Sequence, residues 1–122
     1  MKKVAVIQDM SSFGKCSLTA AIPVLSVMGI QACPLPTAVL TAQTAYPSFY
    51  VKDLTDEMNH FTTEWSKMDE SFDGIQTGFV TGKEQIDNIF RFLDVFQTND
   101  TLLLVDPVMG DDGELYTTYT QA

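Results

Sequence analysis

Four short apolar runs, at Lys3–Gln8, Gln31–Leu35, Phe72–Gly78 and Thr101–Val105, alternate with stretches of helical periodicity. A short run without polar alternation reads as a strand buried on both faces. Between the first two runs, Leu18, Ala21, Ile22, Leu25 and Met28 recur at helical spacing within Cys16–Met28, with Pro23 placed to kink the helix and Gly29 to end it. A second helix begins at Asp53 and carries Leu54, Met58, Phe61 and Trp65 on one face. A third, Gly82–Phe96, sets Ile86, Ile89, Phe90 and Leu93 on its inner face. Strands alternating with helices of this length imply right-handed βαβ units. The fold class is therefore α/β, a mostly parallel sheet with helices on both faces.

The intervening segments read as loops: Asp9–Lys15, polar and glycine-containing, and Thr41–Lys52, a long loop or flap with Pro47. Val39–Leu40 is a further short strand, and Asp112–Tyr116 is turn-rich. A net charge of −9 argues against nucleic acid and anionic membrane surfaces, which call for basic patches. No apolar run approaches the roughly 20 residues of a membrane span, and the N-terminal run stops too early for a signal peptide. Cys16 and Cys33 show no metal or redox spacing and read as free thiols of a reducing cytoplasm.

Chemistry concentrates where strands end. Asp106-Pro107-Val108-Met109-Gly110-Asp111 directly follows the last apolar run. Open α/β sheets bind ligands beyond the carboxyl ends of their strands. Two carboxylates on a Pro/Gly turn there suit Mg²⁺ or a metal–phosphate, or else a helix cap at Asp106 and a solvated Asp111. Gly14-Lys15 is not a Walker loop, because Cys16 stands where Ser or Thr is needed and Asp9 where the first Gly belongs. Asp9–Ser17 is still a polar loop before a helix N-terminus, a place for a small ligand or for a plain cap by Ser17 or a neighbour. Thr41–Tyr46 offers hydroxyls to a polar substrate or is an ordinary loop, and Phe79 stacks on a planar ring or plugs the core. His60 falls on the polar side of its helix and carries no triad.

The pieces Val6-Ile7-Gln8-Asp9, Phe13-Gly14-Lys15-Cys16-Ser17-Leu18-Thr19, Leu35-Pro36-Thr37-Ala38-Val39-Leu40, Gly78-Phe79 and Asp106–Asp111 occur in that order. Together they resemble the N-terminal half of bacterial pyridoxal/pyridoxamine kinases, in the ribokinase-like superfamily. The resemblance runs along essentially the whole chain. It implies that Asp9 takes the position contacting the substrate's pyridine nitrogen, where other members carry Ser. Thr44 matches the residue contacting the phenolic oxygen, and Cys16 and Phe79 match ring-packing positions held elsewhere by Val and Tyr. Asp106, Asp111 and Tyr116 match positions on the ATP–Mg²⁺ side, Asp111 being the candidate for the metal.

The resemblance further implies ATP-dependent phosphorylation of the 5′-hydroxymethyl group of vitamin B6, by a cytoplasmic homodimer. It also implies that residues 1–122 are the N-terminal part of a single kinase domain. The family's catalytic base lies in a later Gly-x-Gly-Asp motif that this sequence does not contain, so no catalytic residue is expected here and the isolated chain is expected to be inactive. Two other readings stay open: hydroxymethylpyrimidine kinase, whose substrate is also a flat heterocycle with a hydroxymethyl arm, and a non-catalytic vitamer-binding half-domain.

Overall fold

A computed structural model describes residues 1–115, Asp111 through its backbone alone. The chain runs β1 (Lys3–Ser11), α1 (Leu18–Val27), β2 (Gln31–Leu40), β3 (Val51–Asp53), α2 (Thr55–Lys67), β4 (Gly74–Thr77), α3 (Lys83–Phe96) and β5 (Leu102–Val105). A small hairpin, β6 (Gly110–Asp111) and β7 (Glu114–Leu115), follows. The main sheet has the order β3-β2-β1-β4-β5 and is parallel except for β3. Helix α1 packs on β1 and β2, while α2 packs on β2 and α3. The α/β expectation holds, with an antiparallel edge strand added by the segment read as a flap.

The core lies on the α2/α3 side. Ala5, Ile7, Leu35 and Ile75 point into it from the sheet and meet Met58, Phe72, Phe92 and Phe96. Trp65, Phe72, Phe92 and Phe96 form an aromatic cluster with ring centroids 4.6 to 6.0 Å apart. Such pairs add about 0.5–1.5 kcal/mol each to the area they bury.

Three readings of the sequence need correction. Strand β1 continues through Asp9, Met10 and Ser11, which were read as loop; Met10 and Ser11 pair with Val39 and Leu40 of β2 across a register shift. Strand β2 is one strand through Pro34 and Pro36, not two short ones. Because β3 pairs only with Ala38–Leu40, the outer side of β2 is an edge at both prolines, and a missing N–H forfeits no ladder bond there.

The third concerns α3. Its buried residues are Gln85, Asn88, Phe92 and Phe96, whereas Ile86 and Phe90 are 43% and 60% exposed. The two phenylalanines are drawn into the aromatic cluster. Gln85 and Asn88 come with them because partners exist: Asn88 Nδ2 donates to the Thr55 carbonyl at 3.0 Å, and its Oδ1 accepts from Asn59 and Arg91. Of the expected inner face, Ile89 and Leu93 do pack half-buried against the core, while the exposed Ile86 and Phe90 do not; all four line a groove of about 310 Å³ with Leu103 and Val105.

Asp53 closes β3 rather than opening a helix, and its carboxylate accepts from the Thr55 N–H at 2.7 Å at the start of α2. Both cysteines are free, and burial pushes the Cys33 thiol up. His60 is exposed on α2. Among the described residues no helix is long and apolar enough to cross a membrane.

Candidate functional site

The chain leaves β1 through α1 to reach β2 on one side, and reaches β4 on the other side of β1 through α2. The strand order thus reverses between β1 and β4, and such a switch point opens a crevice at the carboxyl ends of the two strands. A cavity of about 100 Å³ lies there, lined by Asp9, Ser11, Cys16, Ser17, Leu40, Gln43, Thr44, Phe79 and Val108. Sites that enclose a ligand hold about 300–1,000 Å³. This one is the floor for a small flat group, not an enclosure.

Asp9, Cys16, Thr44 and Phe79, four residues from four separate segments, all line it. Asp9 is 5% exposed. Its Oδ2 accepts from the Ser11 hydroxyl at 2.9 Å and its Oδ1 from the Ser17 hydroxyl at 2.5 Å. A carboxylate offers about four lone-pair directions, so two donors leave it able to accept more. Phe79 is buried beside it, and its carbonyl accepts from the Thr37 hydroxyl at 2.8 Å, which fixes the peptide that carries the ring.

The loop between β1 and α1 folds tightly over the cavity. Gly14 has φ 121°, and a Cβ there would lie 2.6 Å from Gln43 Cγ. Glycine is needed on both counts. The Phe13 carbonyl also accepts from the Gln43 N–H at 3.0 Å, tying this loop to the Thr-rich one. Ser17 sits at the N-cap of α1 but makes no side-chain cap bond, its hydroxyl having gone to Asp9. The plain-cap reading of Ser17 is therefore corrected.

Of the residues assigned to a nucleotide side, Asp106 does not line this cavity. Asp106 is exposed and lines the apolar groove of α3 and β5, its backbone N–H donating to the Thr77 carbonyl at 3.2 Å. Asp111 pairs through its backbone with Glu114, and Tyr116 lies outside the described residues. Val108, in the same turn as Asp106, touches both cavities and places them side by side. Among the described residues no three of His, Cys, Asp and Glu cluster to hold a metal.

Sequence reasoning singled out none of Ser11, Ser17, Leu40, Gln43 and Val108 as a lining residue, although Ser11 and Ser17 lie in the Asp9–Ser17 loop and Gln43 in the Thr41–Tyr46 stretch offered to a ligand. Ser11 carried a usable signal. Residues two apart on a strand share a face, so carrying β1 past Gln8 puts Ser11 beside Asp9.

No family profile matches the sequence. A curated pyridoxal kinase of Dictyostelium discoideum is 27% identical over 126 residues, which is 93% of this chain and 39% of that protein. A Bacteroides thetaiotaomicron structure that bears the name of a phosphomethylpyrimidine kinase, in a crystal form with pyridoxal, is 48% identical. It superposes with a TM-score of 0.95 over 98% of this chain and 42% of its own. The pyridoxal kinase of Lactobacillus plantarum is 32% identical, with a TM-score of 0.89 over 99% of this chain and 43% of its own. The chain is similar to these ribokinase-like kinases along nearly its whole length, and it spans about two fifths of theirs.

Proposed function

We propose that this chain is the vitamer-binding part of a pyridoxal/pyridoxamine kinase, an enzyme that transfers the γ-phosphoryl group of ATP to the 5′-hydroxymethyl of a B6 vitamer. One observation carries the reading: Asp9, Cys16, Thr44 and Phe79 converge on one cavity at the switch point of the sheet. Likeness to a protein crystallised with pyridoxal supports it.

Each residue then has a task. Phe79 offers its ring to a face of the pyridine, and the Thr37 bond keeps that face in place. Cys16 packs against the ring with a small apolar surface. Asp9 accepts the ring N–H; the carboxylate favours the protonated pyridinium. Thr44 contacts the phenolic oxygen. Fixing the ring this way sets the direction of the hydroxymethyl arm, which is how a binding floor lowers the entropic part of a transfer barrier.

By the resemblance Asp106, Asp111 and Tyr116 belong to the nucleotide side; for Asp106 this is supported by Val108, two residues on, which lines both cavities. Mg²⁺ keeps several waters and needs only one or two carboxylates; Asp111 is the metal candidate by the resemblance, and the exposed Asp106 of the same segment would be the second carboxylate. When bound, the ion would neutralise phosphate charge. The base that takes the hydroxymethyl proton is assigned to none of these residues. Two free thiols fit the cytoplasm, where we place the protein; homodimeric assembly follows from the resemblance alone.

The name of the Bacteroides relative keeps hydroxymethylpyrimidine kinase as a second reading. Competition between pyridoxal and hydroxymethylpyrimidine for the protein, followed by calorimetry, separates them. Saturable pyridoxal binding that excess hydroxymethylpyrimidine displaces poorly is the expected result. Preference for the pyrimidine, or binding of neither, overturns the proposal.

A further inference from the structure

We propose that Ser17 is a positioning residue: it leaves the N-cap of α1 uncapped in order to hold the Asp9 carboxylate in the orientation that receives a ring N–H. The proposal rests on the reading of this cavity as a pyridine site.

Serine is among the best N-cap residues, because its oxygen accepts an N–H of the first helical turn. Ser17 stands at that position and its hydroxyl is turned away, donating to Asp9 Oδ1 at 2.5 Å. Its backbone is also costly. With φ 51° and ψ −129° it occupies a region in which only glycine is at ease. Lys15 at φ 48° and Gly14 at φ 121° share the distortion. A non-glycine residue in such a conformation persists only where its surroundings over-determine it, and these outliers gather at ligand sites. The Ser17 carbonyl opens α1, accepting from the Ala20 and Ala21 N–H groups, and its side chain, on a backbone that would suit glycine, gives its hydroxyl to Asp9.

That bond has a geometric effect. An aspartate side chain has two torsions. Ser11 holds one oxygen from within β1, and Ser17 holds the other from across the cavity mouth. Two donors from different elements fix the plane of the carboxylate. Its remaining lone pairs then meet a ligand without first being ordered, which is the benefit of preorganisation.

The test is binding of pyridoxine, and of its carbocyclic counterpart with C–H in place of the ring nitrogen, to wild type, Ser17→Gly and Ser17→Ala. Ser17→Gly removes the hydroxyl and relaxes the backbone; Ser17→Ala removes the hydroxyl and keeps the distortion. Both are expected to weaken pyridoxine binding by about tenfold, the scale of one hydrogen bond to a carboxylate, and to leave the carbocycle within about twofold. Ser17→Gly is expected to melt a few degrees above Ser17→Ala, by about the amount that relief of one strained residue provides. Equal losses for both ligands would show a structural role only and overturn the proposal. So would unchanged pyridoxine binding in both variants, with the pyridine reading intact. Wild-type protein that binds neither ligand would overturn both.

Discussion

The β1–α1 and β4–α3 crossovers leave the sheet at the same end, yet they use their polar groups oppositely. Neither N-cap, Ser17 or Gly82, makes a side-chain cap bond. In the β4–α3 crossover a side chain of the first turn reaches back to the loop before it. Gln85 Oε1 accepts from the Thr81 N–H at 2.9 Å, and its Nε2 donates to the Thr37 carbonyl at 2.8 Å and the Thr55 hydroxyl at 3.1 Å. One fully buried amide thus joins β2, α2 and the loop after β4. In the β1–α1 crossover the hydroxyl goes to a carboxylate that lines a cavity. Buried polar atoms are satisfied in both places, since no buried side-chain N or O among the described residues lacks a partner. They differ in what is left over. Gln85 is saturated by scaffold, while Asp9 still has acceptor capacity facing open space.

The sharpest way to break this comparison is Gln85→Leu. The change leaves the half-buried Thr81 N–H without its partner, at about 1–3 kcal/mol, and takes one of two donors from the Thr37 carbonyl, which keeps the Leu54 N–H at 3.0 Å. A loss of about 2 kcal/mol in urea denaturation is expected, a large share of the 5–15 kcal/mol that holds a typical domain together. A loss under about 1 kcal/mol would mean that Gln85 is not the tie the geometry suggests. Molecules that stay folded should bind pyridoxal nearly as wild type does.

Asp9→Ala should show the reverse. Removing a carboxylate that accepts two hydroxyls and, in the proposed site, a ring N–H is expected to weaken pyridoxal binding by about 10- to 100-fold, the scale of hydrogen bonds to a carboxylate. Stability should move by about 1 kcal/mol or less, because losing the two hydroxyl bonds is offset by no longer burying a carboxylate. Unchanged pyridoxal affinity would remove Asp9 from the proposed site, and a large loss of stability would make it scaffold like Gln85.

What the sequence disclosed follows the same division. Apolar periodicity located each main strand and helix to within a few residues, because burial of apolar surface decides them. It failed where polar groups decide. Asp9-Met10-Ser11 carries no apolar run, so the end of β1 read as loop, although pairing with Val39 and Leu40 makes it strand. On α3 two stripes compete, and hydrophobicity alone selects Ile86, Ile89, Phe90 and Leu93 over the buried Gln85, Asn88, Phe92 and Phe96. No periodicity could announce that Gln85 would find Thr37, Thr55 and Thr81. The cavity residues Asp9, Cys16, Thr44 and Phe79 were legible through resemblance to a family, and their convergence on one crevice is what the fold adds.

The smallest effect lies beside the Gln85 network. Burial pushes the Asp53 carboxyl up, but the Thr55 hydroxyl and N–H, the Thr81 hydroxyl and the Gln85 amide outweigh it and hold the group below its ordinary value of 3.8. A carboxylate lowered on folding contributes stability that is fully present above that value and is lost as pH falls through the lower, folded one. Thr81→Val removes one of these donors. Asp53 should then titrate closer to its ordinary value, by NMR of the carboxyl carbon, and acid unfolding should begin at a slightly higher pH, with little change at neutrality. An unchanged Asp53 titration would mean that the Thr55 bonds and the Gln85 amide hold the charge without the Thr81 hydroxyl. The loop that carries Phe79 would then be tied to the network through the Thr81 N–H and Gln85 only.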